Sequence, residues 1–259
     1  MTEATILVTG ATDGLGKRVA QELAAKGSTV LLHGRSRGRL EATLEEMRRE
    51  TGNEKLSSYL ADFSSLYEVR GLAERILSEH DRLEVLINNA GVILPERKES
   101  EDGYELTFAV NHLAHFLLTS LLLPLLRNSA PARVVNVASA GQSPIDFDDP
   151  MLERGYDAMK AYSQSKLAQI AFTFELAERL SDTEVRVNAL HPASLMDTKM
   201  VQSTFGYTMS TVDEGQRSSF AWPIRRKSKG LRVATSTGHA RRAQAGRPTT
   251  HRPEEGFGP

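Results

Sequence analysis

The sequence predicts an α/β fold in which one doubly wound parallel sheet carries helices on both faces. Short apolar runs alternate with longer stretches of helical periodicity along the first 190 residues, and this alternation is typical of βαβ units. A glycine-rich turn follows the first apolar run. The ends of four predicted strands carry Gly10, Asn89, Ser139 and Pro192, at the edge where such sheets bind ligands.

The elements of the first half follow from the spacing of their apolar residues. Residues 6–8 form an apolar run that predicts the first strand. Residues 17–26 place apolar side chains on one helical face, and Gly27 marks the stop. The same reasoning predicts strands at 29–33 and 56–61 and helices at 36–50 and 66–78.

The second half continues the alternation. Residues 83–87, 133–138 and 185–190 predict three further strands. The helix predicted at 103–126 is apolar on several sides, which indicates burial or a subunit contact. A second long helix is predicted at 156–180.

The glycine-rich turn is Thr9-Gly10-Ala11-Thr12-Asp13-Gly14-Leu15-Gly16. Glycines between a strand and a helix let the backbone approach a pyrophosphate, which the free N–H groups of the helix terminus then face. This arrangement is typical of a Rossmann-like, dinucleotide-binding fold. The alternative is a tight turn that holds no ligand.

Four further motifs stand in register behind this turn. They are Asn88-Asn89-Ala90-Gly91, Asn111 within Phe108-Ala109-Val110-Asn111-His112, Ser139 at a strand end, and Tyr162-Ser163-Gln164-Ser165-Lys166. Together with the glycine spacing, this set resembles the short-chain dehydrogenase/reductase family in its compact single-domain form. The resemblance covers residues 4 to about 215.

The resemblance implies a catalytic set of Asn111, Ser139, Tyr162 and Lys166. Tyr162 and Lys166 are four residues apart and share one helix face. A neighbouring ammonium is expected to lower the pKa of the phenol, which can then exchange a proton with a carbonyl or an alcohol. Ser139 is expected to hold the same oxygen, and Asn111 to support a proton relay through water. Alternatively, the tyrosine and the lysine simply lie on a solvated face of the helix.

The predicted cofactor is NADP(H), with NAD(H) also possible. The second strand ends in His33-Gly34-Arg35 without the acidic residue that accepts a ribose hydroxyl. Arg35, with Arg37 nearby, can meet a 2′-phosphate; alternatively both are solvated charges. The full predicted cofactor-binding set is Gly10, Thr12, Asp13, Gly14, Leu15, Gly16, Arg35, Asp62, Phe63, Asn89, Ala90, Gly91, Tyr162, Lys166, Pro192 and Thr198.

Ser139 and Tyr162 are 23 residues apart, farther than in many members of the family. Residues 141–150 are therefore interpreted as an inserted loop, similar to that of the retinol-dehydrogenase-like branch. The insert is expected either to shape the substrate pocket or to be a surface excursion.

The length of 259 residues predicts one domain, assigned to residues 1–215, followed by an aberrant basic tail at residues 216–259. The best candidate for a membrane span, residues 112–126, is interrupted by histidines and Pro124, so we expect no span. The start lacks a signal peptide, which predicts a cytoplasmic protein. There is no cysteine, and the histidines form no convincing metal site.

Residues 216–259 carry ten lysines and arginines against two glutamates, whereas the preceding residues carry 22 basic and 31 acidic side chains. The segment has no helical or strand periodicity. If suitable codons are assumed for this segment, the same nucleotides read in a shifted frame can encode an amphipathic helix, a turn and a strand. We therefore hypothesise that a frameshift near residue 215 replaced the native ending, which would leave the strand at 185–190 with an open edge. The rival interpretation is a genuine basic tail that binds nucleic acid or an anionic surface.

The sequence thus predicts an NADP(H)-dependent oxidoreductase that acts on a small-molecule alcohol or carbonyl, and no nucleic-acid partner. A homodimer or homotetramer is expected through the helices at 103–126 and 156–180. The alternative is an impaired or non-enzymatic NAD(P)-binding protein, since the segment that should wall the substrate pocket is replaced.

Overall fold

The computed structural model describes residues 4–220 and 234–235, and within them it shows the predicted doubly wound sheet. All neighbouring strands pair in parallel, in the spatial order β3-β2-β1-β4-β5-β6-β7. The strands are β1 Thr5–Val8, β2 Thr29–Gly34, β3 Leu56–Leu60, β4 Val85–Asn88, β5 Ala132–Val137, β6 Val185–His191 and the two-residue β7 Ala234–Thr235. The predicted α/β, Rossmann-like fold is confirmed.

The five predicted helices differ from expectation mainly at their starts, and two helices after β6 were not predicted. The first begins at Gly14 rather than at residue 17, because Asp13 caps it by accepting a hydrogen bond from the Gly14 N–H at 2.8 Å. The long helix α4 contains a π-helical turn at Ala109–Leu113. The helices are α1 Gly14–Ala25, α2 Arg37–Thr51, α3 Leu66–Glu79, α4 Leu106–Asn128, α5 Ala158–Arg179, α6 Lys199–Phe205 and α7 Val212–Phe220.

The core lies on both faces of the sheet. In β1, Ile6 and Val8 join the apolar cluster that includes α1, whereas Leu7 joins the cluster that includes α3 and α4. This alternation follows from the two-residue period of a strand. The strand order reverses between β1 and β4, and a ligand crevice forms at such a reversal.

Helix α4 corrects the expectation that no segment could span a membrane. By length and composition alone, Leu106–Asn128 passes as a span, and it continues through Pro124. However, 56% of its most apolar window is buried within the fold, as in the core helix of a globular domain. A membrane-spanning helix and the buried core helix of a globular domain both satisfy these criteria of length and composition.

The C-terminal segment also differs from expectation where it is described. Helix α7 runs across the predicted boundary at residue 215, and Arg18 of α1 pairs with Asp213 at 2.6 Å. Strand β7 pairs with Leu190 and His191, so the predicted open edge of β6 is wrong at these two positions. Residues 221–233 and 236–259 of the predicted tail lie outside the described residues.

Candidate functional site

A cleft of about 490 Å³ lies beyond the carboxyl ends of β1, β4, β5 and β6. All sixteen predicted cofactor-binding residues line it, as does Ser139. Asn111 does not line the cleft. The predicted residues therefore come together on one surface, although their sequence positions extend from 10 to 198.

The glycine-rich turn forms one wall of the cleft because its glycines allow a close approach of backbones. Gly10 has φ 65°, and a Cβ there would lie 2.9 Å from the Cα of Ala90. A Cβ on Gly16 would collide with the carbonyl oxygen of Gly10. The turn from β1 into α1 is thus packed directly on the loop that follows β4.

His33 is a cleft residue that the sequence argument missed. It is buried at the end of β2, where its Nδ1 accepts a hydrogen bond from the Gly10 N–H at 3.3 Å. Nδ1 therefore carries no proton, and Nε2 donates to the carbonyl of Ala61 at 3.0 Å. Burial lowers the pKa of His33 to about 4, so the ring is neutral near pH 7. The sequence feature that could have indicated this cleft position is a histidine at the end of an otherwise apolar strand.

Ser139 and Tyr162 meet in the cleft. The Ser139 side chain hydrogen-bonds the phenol, and its Oγ also accepts from the Gly141 N–H at 3.1 Å. Burial raises the pKa of Tyr162, and the hydrogen bond with Ser139 opposes this shift without reversing it. The phenol is consequently protonated at neutral pH.

Lys166 does not act on Tyr162 as the sequence predicts. Its Nζ lies 5.7 Å from the centroid of the Tyr162 ring and donates to the carbonyl of Val137 at 2.8 Å and to Gln169 Oε1 at 3.2 Å. Burial lowers the pKa of Lys166 to about 8. The expected lowering of the Tyr162 pKa is wrong for this structure, because burial dominates and the ammonium is directed at other acceptors.

Asn111 lies in the π-helical turn of α4 and is buried. Its Oδ1 accepts from the Val92 N–H at 2.8 Å, and its Nδ2 donates to the Val92 carbonyl at 3.0 Å and to Ser165 Oγ at 3.1 Å. The side chain therefore clamps the loop after β4 to helix α5 instead of facing the cleft.

Of the two arginines predicted to contact a 2′-phosphate, one lines the cleft and the other does not. Arg35 is exposed and lines the cleft beside Asp62, whereas Arg37 does not line it. Arg37 lies 3.9 Å from Glu41 on the exposed side of α2. Of the pair, only Arg35 is placed to contact a ligand.

The insert after Ser139 packs away from the cleft. Residues 142–158 do not line it; instead the Pro150 carbonyl accepts from Gln164 Nε2 at 2.8 Å, and Lys160 pairs with Asp146 at 3.2 Å. Of the two alternatives for the insert, residues 142–150 therefore follow the surface excursion, and only Gly141 lines the cleft. Apolar lining comes from Ile93, Met159, Leu195, Met196, Met200 and Val201.

Two further contacts hold the end of β6 and the segment after it against other parts of the cleft. The Ala140 N–H donates to His191 Nδ1 at 3.3 Å, and Lys199 pairs with Asp13 at 2.9 Å. Thr198 lies against Gly14 and caps α6. Among the described residues, no group of three or more His, Asp or Glu side chains is arranged to hold a metal ion.

Comparison with known proteins agrees with this geometry. The family model for short chain dehydrogenase matches residues 4–206. The chain belongs to the short-chain dehydrogenase family. It also resembles the retinol-dehydrogenase branch: it is 46% identical over 191 residues to human "Retinol dehydrogenase 13" and 45% identical over 203 residues to human "Retinol dehydrogenase 14".

These alignments cover 73% of this chain but only 58% and 60% of the two relatives. The chain therefore spans about three fifths of the length of these short-chain dehydrogenases. Among solved structures, a short-chain dehydrogenase from Sphingobium yanoikuyae in complex with NADPH superposes with a TM-score of 0.74 at 25% identity, covering 91% of this chain and 89% of that one.

A protein from Mycobacterium paratuberculosis superposes with a TM-score of 0.72 at 32% identity, covering 89% of this chain and 80% of that one. The family, the fold and a nicotinamide-dinucleotide site of the short-chain dehydrogenase kind are thus supported by sequence and by structure.

Proposed function

We propose that this protein transfers a hydride between NADP(H) and an alcohol or carbonyl substrate. The observation that carries the proposal is that Ser139 and Tyr162 both line the cleft that the glycine-rich turn also lines. The nicotinamide cofactor would supply or accept the hydride. Gly10, Gly14 and Gly16 would hold its pyrophosphate at the start of α1, where N–H groups and the helix dipole favour negative charge.

The proton would come from Tyr162. Because burial keeps its phenol protonated, Tyr162 is in the form that donates a proton to a carbonyl oxygen. Ser139 would hold that oxygen through its hydroxyl. Lys166 would anchor α5 to the end of β5 and bind the ribose, while Asn111 would shape the loop at Val92.

The preference for NADP(H) over NAD(H) rests on Arg35. A guanidinium can bind a phosphate through two parallel hydrogen bonds. Arg35 is exposed and lines the cleft directly after β2, whose last residues include no Asp or Glu. Solved relatives from Sphingobium yanoikuyae and Shigella flexneri were obtained with NADPH and NADP, respectively. Both facts support the proposal.

For the substrate, we propose an alcohol or aldehyde with an apolar body. The relatives named retinol dehydrogenase support this class, as does the apolar lining around Met196 and Met200. A homo-oligomer through α4 and α5 is supported by the exposure of Phe116 and Phe174. A cytoplasmic location stays a prediction.

One observation favours a second function, a cofactor-binding protein without turnover. The family match ends at residue 206, although the chain continues to residue 259. A titration with NADPH followed by a panel of carbonyls and alcohols separates the two functions. Turnover supports the oxidoreductase, whereas tight binding without any turnover supports the second function.

A further inference from the structure

We propose that His115 is a positioning residue that joins the two cofactor loops to the catalytic helix turn, an inference that rests on the proposed function. His115 lies in α4 and is 1% exposed. Its Nδ1 lies 3.1 Å from the carbonyl oxygen of Asn111, and its Nε2 lies 3.1 Å from Thr9 Oγ1. Both ring nitrogens are therefore paired, one with Thr9 after β1 and the other with Asn111 in the π-helical turn of α4.

The partners determine which nitrogen carries the proton. A carbonyl oxygen only accepts, so Nδ1 of His115 must donate to Asn111. Nε2 is then an acceptor and takes the hydroxyl proton of Thr9. Burial is the main cause that lowers the pKa of His115 to about 3; the nearby Lys166, His33 and His112 act in the same direction, and the hydrogen bond with Asn111 opposes them. The neutral ring that this pattern requires is thus the form present near pH 7.

Thr9 is the other end of the bridge. It is fully buried at the end of β1, and its hydroxyl oxygen accepts from the N–H groups of Asn89 at 2.8 Å and Ala90 at 3.0 Å. With two N–H donors on the oxygen, its own proton is available for His115. The competing acceptor, the Ile87 carbonyl, is farther away at 3.3 Å and already accepts the Thr9 N–H.

The bridge connects the parts of the site that must be aligned for hydride transfer. Thr9 adjoins Gly10, and Asn89 and Ala90 line the cofactor cleft. On the other side, Asn111 bonds Ser165, whose hydroxyl donates to the Tyr162 carbonyl at 2.7 Å. A single imidazole therefore links the loops expected to hold the cofactor with the helix turn that carries the proposed acid.

The test compares variants of the full chain. In His115→Phe both hydrogen bonds are lost, and we expect NADPH affinity and kcat each to fall about tenfold or more, since one such bond corresponds to roughly a factor of ten. His115→Asn keeps a donor at the Nδ1 position and should restore kcat but not affinity. His115→Gln places an acceptor toward Thr9 and should restore affinity but not kcat.

His112→Phe is the matched control. His112 lies one turn earlier on α4 against the rings of Phe108 and Phe172, and its Nδ1 has no hydrogen-bond partner in the described part of the chain. This variant should leave both NADPH affinity and kcat within about twofold of the parent.

A drop in melting temperature with unchanged affinity and kcat in His115→Phe would overturn the proposal, as would identical behaviour of the Asn and Gln variants. If the phenylalanine variant does not fold, Thr9→Val tests the bridge from its other end, because it removes the hydroxyl that pairs with His115 Nε2. This variant must weaken NADPH binding about tenfold for the proposal to stand. Thr9→Ser should retain the affinity. If the parent binds NADPH without turnover, the proposed function fails, while the pattern of affinities still decides whether His115 positions the loops.

Discussion

Lys166 and Tyr162 stand one helical turn apart on α5, yet the ammonium of Lys166 is bonded to the carbonyl of Val137 rather than to the phenol. Val137 ends β5, and Ser139 follows two residues later. The ammonium thereby ties the helix that carries Tyr162 to the strand end that carries Ser139. In this arrangement the lysine places the proposed acid beside the serine, and burial rather than charge sets the pKa of the phenol.

Tyr162→Phe should abolish turnover and leave NADPH affinity nearly unchanged, because the ring remains and only the transferable proton is lost. Steady-state kinetics and a fluorescence titration measure the two effects. Tyr156→Phe is the control, since Tyr156 also donates through its hydroxyl but to Leu94 outside the cleft. Activity of the Tyr162 variant within about tenfold of the parent, roughly 1.4 kcal/mol of barrier, would remove it from the catalytic role.

Arg35→Asp should weaken NADPH binding and spare or improve NADH binding. A carboxylate repels the 2′-phosphate but accepts a hydrogen bond from the 2′-hydroxyl. Titration with both cofactors measures the change. Arg37→Asp, which alters a charge on α2 that does not line the cleft, should change neither affinity appreciably. Equal losses for both cofactors in the Arg35 variant would mean that this arginine is structural.

Gly16→Ala should lower both stability and cofactor affinity, because the added Cβ collides with the Gly10 carbonyl and with Asn89. Gly71→Ala is the matched control, for which we expect the opposite effect on stability. Gly71 lies in α3, and a Cβ added there would have nothing within 4 Å, so we expect a gain of about 0.5–1 kcal/mol from helix propensity. Urea unfolding and NADPH titration of both variants provide the comparison, and a Gly16 variant as stable as the parent contradicts the close packing.

The protein should lose stability as the pH falls from about 6.5 toward 4. Burial lowers the pKa of His112 to about 4, below the ordinary value of 6.5. The unfolded chain therefore binds a proton in this interval that the folded chain does not, so the free energy of unfolding decreases with decreasing pH. Each unit of difference corresponds to about 1.4 kcal/mol.

His112→Phe removes this proton uptake and should show a smaller loss of stability between pH 7 and pH 4.5. Urea unfolding at the two pH values measures the difference. The remaining loss would come from His33 and His115, whose pKa values are also lowered by burial. An unchanged pH dependence in the variant would show that His112 does not titrate differently in the two states.

For the C-terminal segment we propose that residues 216–259 derive from a shifted reading frame and form a tail distinct from the domain at 1–215. Limited proteolysis should then cut between Arg217 and Arg252 and stop near Glu214, and removal of the tail should cost little stability. Resequencing the gene provides the direct check. An intact frame, or a protease-resistant segment packed on β6 beyond the two residues paired with β7, would contradict this origin.

The sequence alone determined the features that depend on local patterns. Periodicity placed β1–β6 and α1–α5 to within a few residues, since burial of one face requires apolar residues at a repeat of two or 3.6. It did not predict α6, α7 or β7. The glycine spacing located the turn at Gly10–Gly16, and the order of the motifs identified the family. The chemistry of a single strand end also supplied the prediction that Arg35 contacts a 2′-phosphate, which stays a prediction.

The tertiary structure decided the features that depend on contacts between distant segments. Thr9 and His115 are 106 residues apart, and no local pattern pairs them. Lys166 turns toward Val137, 29 residues away, and the insert contacts Gln164 of α5 through the Pro150 carbonyl instead of lining the cleft. A side chain's hydrogen-bond partner is chosen by which backbone groups the packed sheet and helices bring within about 3 Å. Only the assembled fold specifies that choice.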